Sequence, residues 1–278
     1  MKHAYVFRIS ALKRALAIGF LVSGLAACAD SETEEIEYVE RSVEEIYNKA
    51  YDYMENRDFR RASVEFDEVE RQHPYSQWAR RAMVMSAYSY YRQNKYSEAI
   101  LAAKRFIALH PGNKQAPYMY YLIAQSQYEQ ISDISRDQKN TELARQALTD
   151  LIRRYPNTDY ARDARLKLDL TVDHLASKEM AIGRYYLYRN SYVAAINRFK
   201  NVVLQYQTTS HVEEALHRLT EAYLALGLEE EAKASAAVLG HNYPSSPWYN
   251  DSYRMLVGRD FKPVETEAWY KRAWNQIF

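Results

Sequence analysis

A fixed tyrosine–alanine–proline spacing recurs along this chain, and it constrains the fold more than any other feature. In the stretch from Arg80 to Pro111, Ala99 lies nine residues after Tyr90 and twelve before Pro111. The same intervals link Tyr53, Ala62 and Pro74, and again Tyr223, Ala232 and Pro244. Tyr186 and Ala195 keep the spacing although Gln207 replaces the proline, and Ala144 with Pro156 keeps its second half. A small residue at a set place lets two helices approach closely. Proline lacks an N–H and disfavours helix at the residue before it, so it ends the second helix of each unit.

Five units on one ruler follow the grammar of the tetratricopeptide repeat. The expected fold is therefore all-α, a superhelical stack of about five helix pairs. Seven glycines and seven prolines in 278 residues suit many helices with few tight turns. The first pair runs from about Val43 to Pro74, and Ser76 is placed to cap the helix that follows. In the third pair, residues 131–140 insert about eight extra positions between a first helix near 116–130 and a second at 142–155. This insertion is either a partner contact or a plain solvent loop. From Asp159 to about Tyr188 the apolar residues Ala161, Ala164, Leu168, Val172, Leu175 and Ile182 hold one helical face without interruption. A helix of about 30 residues would extend about 45 Å. It would join an N-terminal module, residues 42–156, to a C-terminal module, residues 157–257. Ser246, as cap, and Pro247, at the first helical position, open a closing helix. In the tail, residues 258–278, Trp269, Trp274, Ile277 and Phe278 either seal the last repeat or dock on a partner.

The first 27 residues are of another kind. Lys2, Arg8, Lys13 and Arg14 precede an apolar run from Ala15 to Leu25, too short to span a bilayer. This is the pattern of a secretory signal. Leu25-Ala26-Ala27-Cys28 follows, and Cys28 is the only cysteine. Small residues suit a peptidase pocket and the thiol is an acylation nucleophile, so Cys28 is the expected lipidation site. Several acyl chains there would anchor the chain to a membrane, each buried CH₂ contributing roughly 0.8 kcal/mol. The likeness to bacterial lipoproteins implies diacylglycerol and an acyl chain on Cys28, with Ala29 permitting transfer to the outer membrane. Loss of the four basic residues takes the formal net charge from +1 to −3, which gives nucleic acid no basic face to bind. Residues 28–41 read as an acidic tether.

No catalytic constellation stands out. There is no His-Glu-x-x-His, phosphate loop, dinucleotide fingerprint or Gly-x-Ser-x-Gly. His73 and His110 precede helix-ending prolines, where a charge-and-cap role suits them. No enzyme activity, metal or cofactor beyond the covalent lipid is expected. The surplus lies in 26 tyrosines. In a superhelix that turns its first helices inward, Tyr47, Tyr51, Val84, Tyr88 and Tyr91 fall on the concave groove. Tyrosine offers a large apolar ring with a hydroxyl, which suits an extended peptide. The same rings serve equally well as packing between repeats.

The lipobox residues, the segment Phe66–Ser76 (FDEVERQHPYS), Arg105–Pro111 (RFIALHP), Tyr128–Asp133 (YEQISD) and Lys178–Tyr186 (KEMAIGRYY) occur in an order that resembles the BamD family of outer-membrane lipoproteins. The resemblance covers nearly the whole mature chain through Pro244. It implies a non-enzymatic subunit of the β-barrel assembly machinery on the periplasmic face of the outer membrane. Its implied partners are the POTRA domains of BamA, the other assembly subunits and unfolded barrel precursors. It also implies that the N-terminal repeats receive targeting signals and the C-terminal repeats contact BamA, with Asn197 and Arg198 as contact candidates. The competing expectation is a periplasmic repeat lipoprotein that scaffolds another envelope complex.

Overall fold

The computed structural model describes residues 40–257. The signal segment, Cys28, most of the acidic tether and the 258–278 tail lie outside the described residues. Eleven helices and no strand occur among the described residues. In order they are α1 (Val43–Glu55), α2 (Phe59–Gln72), α3 (Gln77–Arg92), α4 (Tyr96–Leu109), α5 (Ala116–Tyr128), α6 (Lys139–Arg154), α7 (Asp159–Tyr188), α8 (Tyr192–Gln205), α9 (His211–Ala225), α10 (Glu229–Asn242) and α11 (Pro247–Val257). Each helix packs chiefly on its neighbours in sequence, so the five pairs α1–α2, α3–α4, α5–α6, α7–α8 and α9–α10 form a tetratricopeptide stack closed by α11.

The ruler residues make the contacts that hold each pair shut. Ala50, Ala62, Ala87, Ala99, Ala144, Ala195 and Ala232 are fully buried. Gly183 holds the same place in α7, where a Cβ would sit 2.5 Å from the Phe199 ring. Thr220 takes it in α9, and its hydroxyl donates to the Leu216 carbonyl at 3.0 Å, so a buried polar atom stays satisfied. At each second-helix end, His73, His110, Tyr155 and Tyr243 leave the helical region with φ near −130° while their N–H groups still bond four residues back. Tyr206 adopts the same geometry (φ −128°) before Gln207, so this end forms without proline.

The turns inside the pairs use a device that was not marked in the sequence. Arg57, Asn94, Asn190 and Gly227, each four residues after the ruler tyrosine, have φ between 56° and 75°. The residue after each donates its N–H to that tyrosine's carbonyl at 2.8–3.0 Å, a Schellman closure of the first helix. The third pair lacks this turn because the insertion occupies it. There the loop is clamped to the long helix: Lys178 Nζ donates to the carbonyls of Ser135 and Arg136 at 3.1 and 3.3 Å. The insertion is thus bound to the fold at its centre. Helix α6 also starts at Lys139 rather than at Glu142 and ends at Arg154, one residue early. Ser76 caps α3 through Ala79 N–H at 3.0 Å, as expected. Ser246 does not cap α11: its hydroxyl is buried without a hydrogen-bond partner, and Pro247 alone sets the helix start.

The core is divided along the stack, and α7 belongs to two parts of it. Ala164 and Leu168 join Ala124, Leu148 and Leu151 in the third pair. Met180 and Tyr186 join the largest cluster, which runs through α8, α9 and α10 to Leu256 of α11. At that closing end His217 stacks on Trp248 at 5.1 Å between ring centres and meets the Ser252 hydroxyl at 2.9 Å. Burial, reinforced by the Arg218 cation, holds its imidazole below the ordinary histidine value.

Two outcomes test this packing. Gly183→Ala should cost about 1–3 kcal/mol in denaturant unfolding, and it should cost less in a Phe199→Leu background, because the ring is the obstacle. The His217 shift makes the folded state bind fewer protons, so its contribution is complete above the unfolded-state value and is lost as pH falls below it. The melting temperature of the intact chain should therefore decline more steeply between pH 7 and 5 than that of His217→Gln.

Candidate functional site

Four-residue spacing puts Tyr47 and Tyr51 on one face of α1, and Val84, Tyr88 and Tyr91 on one face of α3. The structure gives these five side chains different surroundings. Tyr47 is wedged against Trp78 at 4.7 Å and Phe66 at 5.5 Å, and burial raises its hydroxyl above the ordinary tyrosine value. Val84 is buried in the core of the second pair. Tyr51 is 41% exposed, with no ring partner among the described residues. Tyr88 meets Phe59 edge-on at 6.2 Å, and Arg92 spans both rings while donating to the Tyr88 hydroxyl at 2.5 Å. Tyr91 leans on Tyr96 at 5.9 Å and its hydroxyl points to the Glu129 carboxylate at 3.4 Å.

Two of the five share a cleft. Tyr47 and Val84 line a cavity of about 660 Å³ together with Gln77, Arg80, Arg81, Met85, Phe106 and the exit turn from Asn113 to Gln115. Tyr47, Val84, Met85 and Phe106 supply an apolar part of its lining, and Arg80, Arg81 and Lys114 supply three cations. A site of this kind can take an apolar side chain and stabilise an adjacent carboxylate. Arg81 is partly engaged, lying 5.4 Å from the Trp78 ring. The arginines and the lysine were missed as site residues because a lone cation on a helix face carries no periodic signal.

The tyrosine face also continues beyond the five residues. Burial drives the Tyr118 hydroxyl well above its ordinary value, and nearby Tyr88, Tyr160, Tyr121 and Tyr91 reinforce the effect. Tyr160, from the first turn of α7, contacts Tyr118 at 5.7 Å and Tyr121 at 5.1 Å. Lys167 then pairs with Asp163, donates to the Tyr121 hydroxyl at 3.3 Å and lies 5.4 Å from that ring. These positions were legible in principle. Ala124 is buried in α5 as Ala87 is in α3, and Tyr121 and Tyr128 stand to it as Val84 and Tyr91 stand to Ala87.

The C-terminal candidates lie apart on α8. Asn197 is exposed, while Arg198 reaches across to α7 and contacts both Glu179 oxygens at 3.3 Å. One arrangement there has the composition of a hydrolase relay without its order. His211 Nε2 meets the Ser177 hydroxyl at 2.8 Å and the Asp173 carboxylate at 3.5 Å, so one nitrogen serves both groups where a relay needs two. No cluster of three metal-ligating side chains occurs among the described residues, nor any helix there long and apolar enough to cross a membrane.

Comparison with known proteins adds identity to this geometry. A family model described as YfiO, outer membrane lipoprotein, matches residues 39–239. The outer membrane protein assembly factor BamD of Caulobacter vibrioides is 51% identical over 250 residues, covering 90% of this chain and 81% of that protein. BamD of Rickettsia prowazekii is 42% identical, covering 88% of this chain and 96% of its own length. Among solved structures, a thermophilic TPR protein of Thermus thermophilus aligns over 78% of this chain and 99% of its own, at 18% identity and a TM-score of 0.36.

Packed and exposed tyrosines should separate in stability measurements. Tyr47→Ala should destabilise the fold by about 3 kcal/mol through its lost ring contacts, and Tyr51→Ala by under about 0.5 kcal/mol. Equal costs in urea titration would place Tyr51 in the core instead.

Proposed function

The chain belongs to the BamD family of outer membrane protein assembly factors, and on that premise we propose that it is a lipid-anchored, non-catalytic scaffold on the periplasmic face of the outer membrane. It carries its lipid on Cys28, grips targeting segments of unfolded barrel precursors with its N-terminal repeats, and contacts the POTRA domains of BamA through its C-terminal repeats. The observation that carries this reading is the cleft between the first two pairs. A C-terminal segment with an apolar last side chain would seat that side chain against Tyr47, Val84, Met85 and Phe106, and its carboxylate would meet Arg80, Arg81 and Lys114. The exposed Tyr51 and the Tyr88–Arg92 pair lie on the same two first helices, where they would contact upstream residues.

Two ends that bind different partners make the second encounter intramolecular, and the membrane anchor concentrates both partners at one surface. Asn197 is free to face BamA, whereas Arg198 would reach it only by sharing or leaving Glu179.

Site-specific crosslinking tests the groove. The double variant Tyr51→Ala/Tyr88→Ala should keep its fold and lose at least threefold in crosslinking to barrel-derived C-terminal peptides. Arg81→Glu should weaken the same peptides, but not their C-terminally amidated forms. A folded double variant with undiminished crosslinking would assign those tyrosines to packing. Pull-down of the lipidated protein should recover BamA, and recovery of a different envelope complex in its place would favour the other scaffold role.

A further inference from the structure

Two crevices open on the side of the stack formed by the second helices, and they occupy equivalent places. One, about 490 Å³, is lined by Asp67, Glu70, Arg71, Met83, Ser86, Tyr90, Glu98, Leu101, Ala102 and Arg105. The other, about 530 Å³, is lined by Lys104, Ile107, Ala108, Tyr120, Ile123, Gln127, Leu143, Gln146, Ala147 and Asp150. The ruler relates them residue for residue. Asp67 corresponds to Lys104 and Tyr90 to Gln127; beyond the insertion, Glu98 corresponds to Leu143 and Arg105 to Asp150.

The first crevice is satisfied by the fold itself. Asp67 accepts from the Ser86 hydroxyl at 2.5 Å and the Tyr90 hydroxyl at 2.6 Å. Arg105 pairs with Glu70 at 2.7 Å, and Arg71 is held by Glu68. In the second crevice every one of those arrangements is gone. Ile107 and Ala108 replace Glu70 and Arg71, Ile123 replaces the Ser86 hydroxyl, and Leu143 replaces Glu98, which leaves an apolar floor. At its edge Lys104 makes no ion pair with any described residue. The one acid, Asp150, is already taken by Arg153 and Arg154 at 2.5 and 2.8 Å. Arg154 also covers the Tyr120 ring at 5.2 Å, so the crevice's uncompensated charge is positive.

We propose that the crevice between the second and third pairs is a docking site for an apolar segment of another protein that carries a carboxylate. Its apolar side chain fills the space over Ile107, Ile123 and Leu143, and its carboxylate pairs with Lys104. Loss of the internal hydrogen bonds found in the sister crevice leaves floor and edge available to a ligand. Association gains both apolar burial and a charge pair at the edge of the crevice. The site is separate from the tyrosine face of the first helices, so it can be filled while that face is engaged.

The test uses the full-length lipidated chain in membranes, with a photoreactive benzoylphenylalanine at Gln146 or, as the internal control, at the equivalent Leu101. Adducts are mapped by mass spectrometry. The expected result is one adduct from position 146, at an apolar segment with an adjacent Asp or Glu, and none from position 101. Lys104→Glu should lower its yield at least tenfold with an unchanged melting temperature, while Lys104→Arg preserves it. The proposal is overturned by equal labelling from both positions, by insensitivity to Lys104→Glu, or by no adduct. It is equally overturned if the label maps to a second copy of this chain, to its own 258–278 tail, or to a segment without an acid.

Discussion

Every pair in this stack closes over a position that tolerates little more than a methyl group. Ala50, Ala87 and Ala124 in the first helices, with Ala62, Ala99, Ala144, Ala195 and Ala232 in the second, are buried to the last atom. Close approach there brings the large rings of Phe66, Phe106 and Phe199 into full burial on either side. Dispersion contacts fall off steeply with distance, so a gap of even half an ångström would forfeit a good part of them. Gly183 shows the limit, since a single added carbon would overlap Phe199.

The parts of the fold that were legible in the sequence are those with a period. The helix pairs, the 30-residue α7 and the prolines that follow second helices all rest on repeated spacing or on the missing N–H of proline. What escaped had no period or broke one. The left-handed turn residue is arginine, asparagine or glycine, and only its backbone angle unites those choices. Ser246 fills a capping slot in sequence, yet its buried hydroxyl makes no hydrogen bond to the helix start.

The candidate site follows the same division. Tyr47, Tyr51, Val84, Tyr88 and Tyr91 were found because each stands at a fixed offset from a buried alanine. Tyr118, Tyr121 and Tyr160 were missed as its continuation because Gln127 stands where the third pair should carry its ruler tyrosine, and the insertion then shifts the second helix off the spacing. Placement on a helix face also says nothing of engagement: Val84 and Tyr47 are largely held by the core, and Tyr91 points across to Glu129. Charge escaped for a different reason. Arg80, Arg81 and Lys114 converge only when the exit turn after α4 folds back against α3, a long-range fact that local spacing does not contain.

Helix α7 lies in two cores at once, and the Lys178 clamp ties the only irregular loop of the third pair to its middle. The third and fourth pairs therefore share one helix instead of being joined by a linker. A flexible linker of similar length would scatter its ends over a broad range of separations. A continuous helix of 30 residues, about 45 Å long, fixes where along its axis and on which side the residues of each core stand. The pairs on either side of its middle are thus set in phase as well as in distance. One residue inserted into the middle of α7 would turn the residues that serve one core about 100° against those that serve the other.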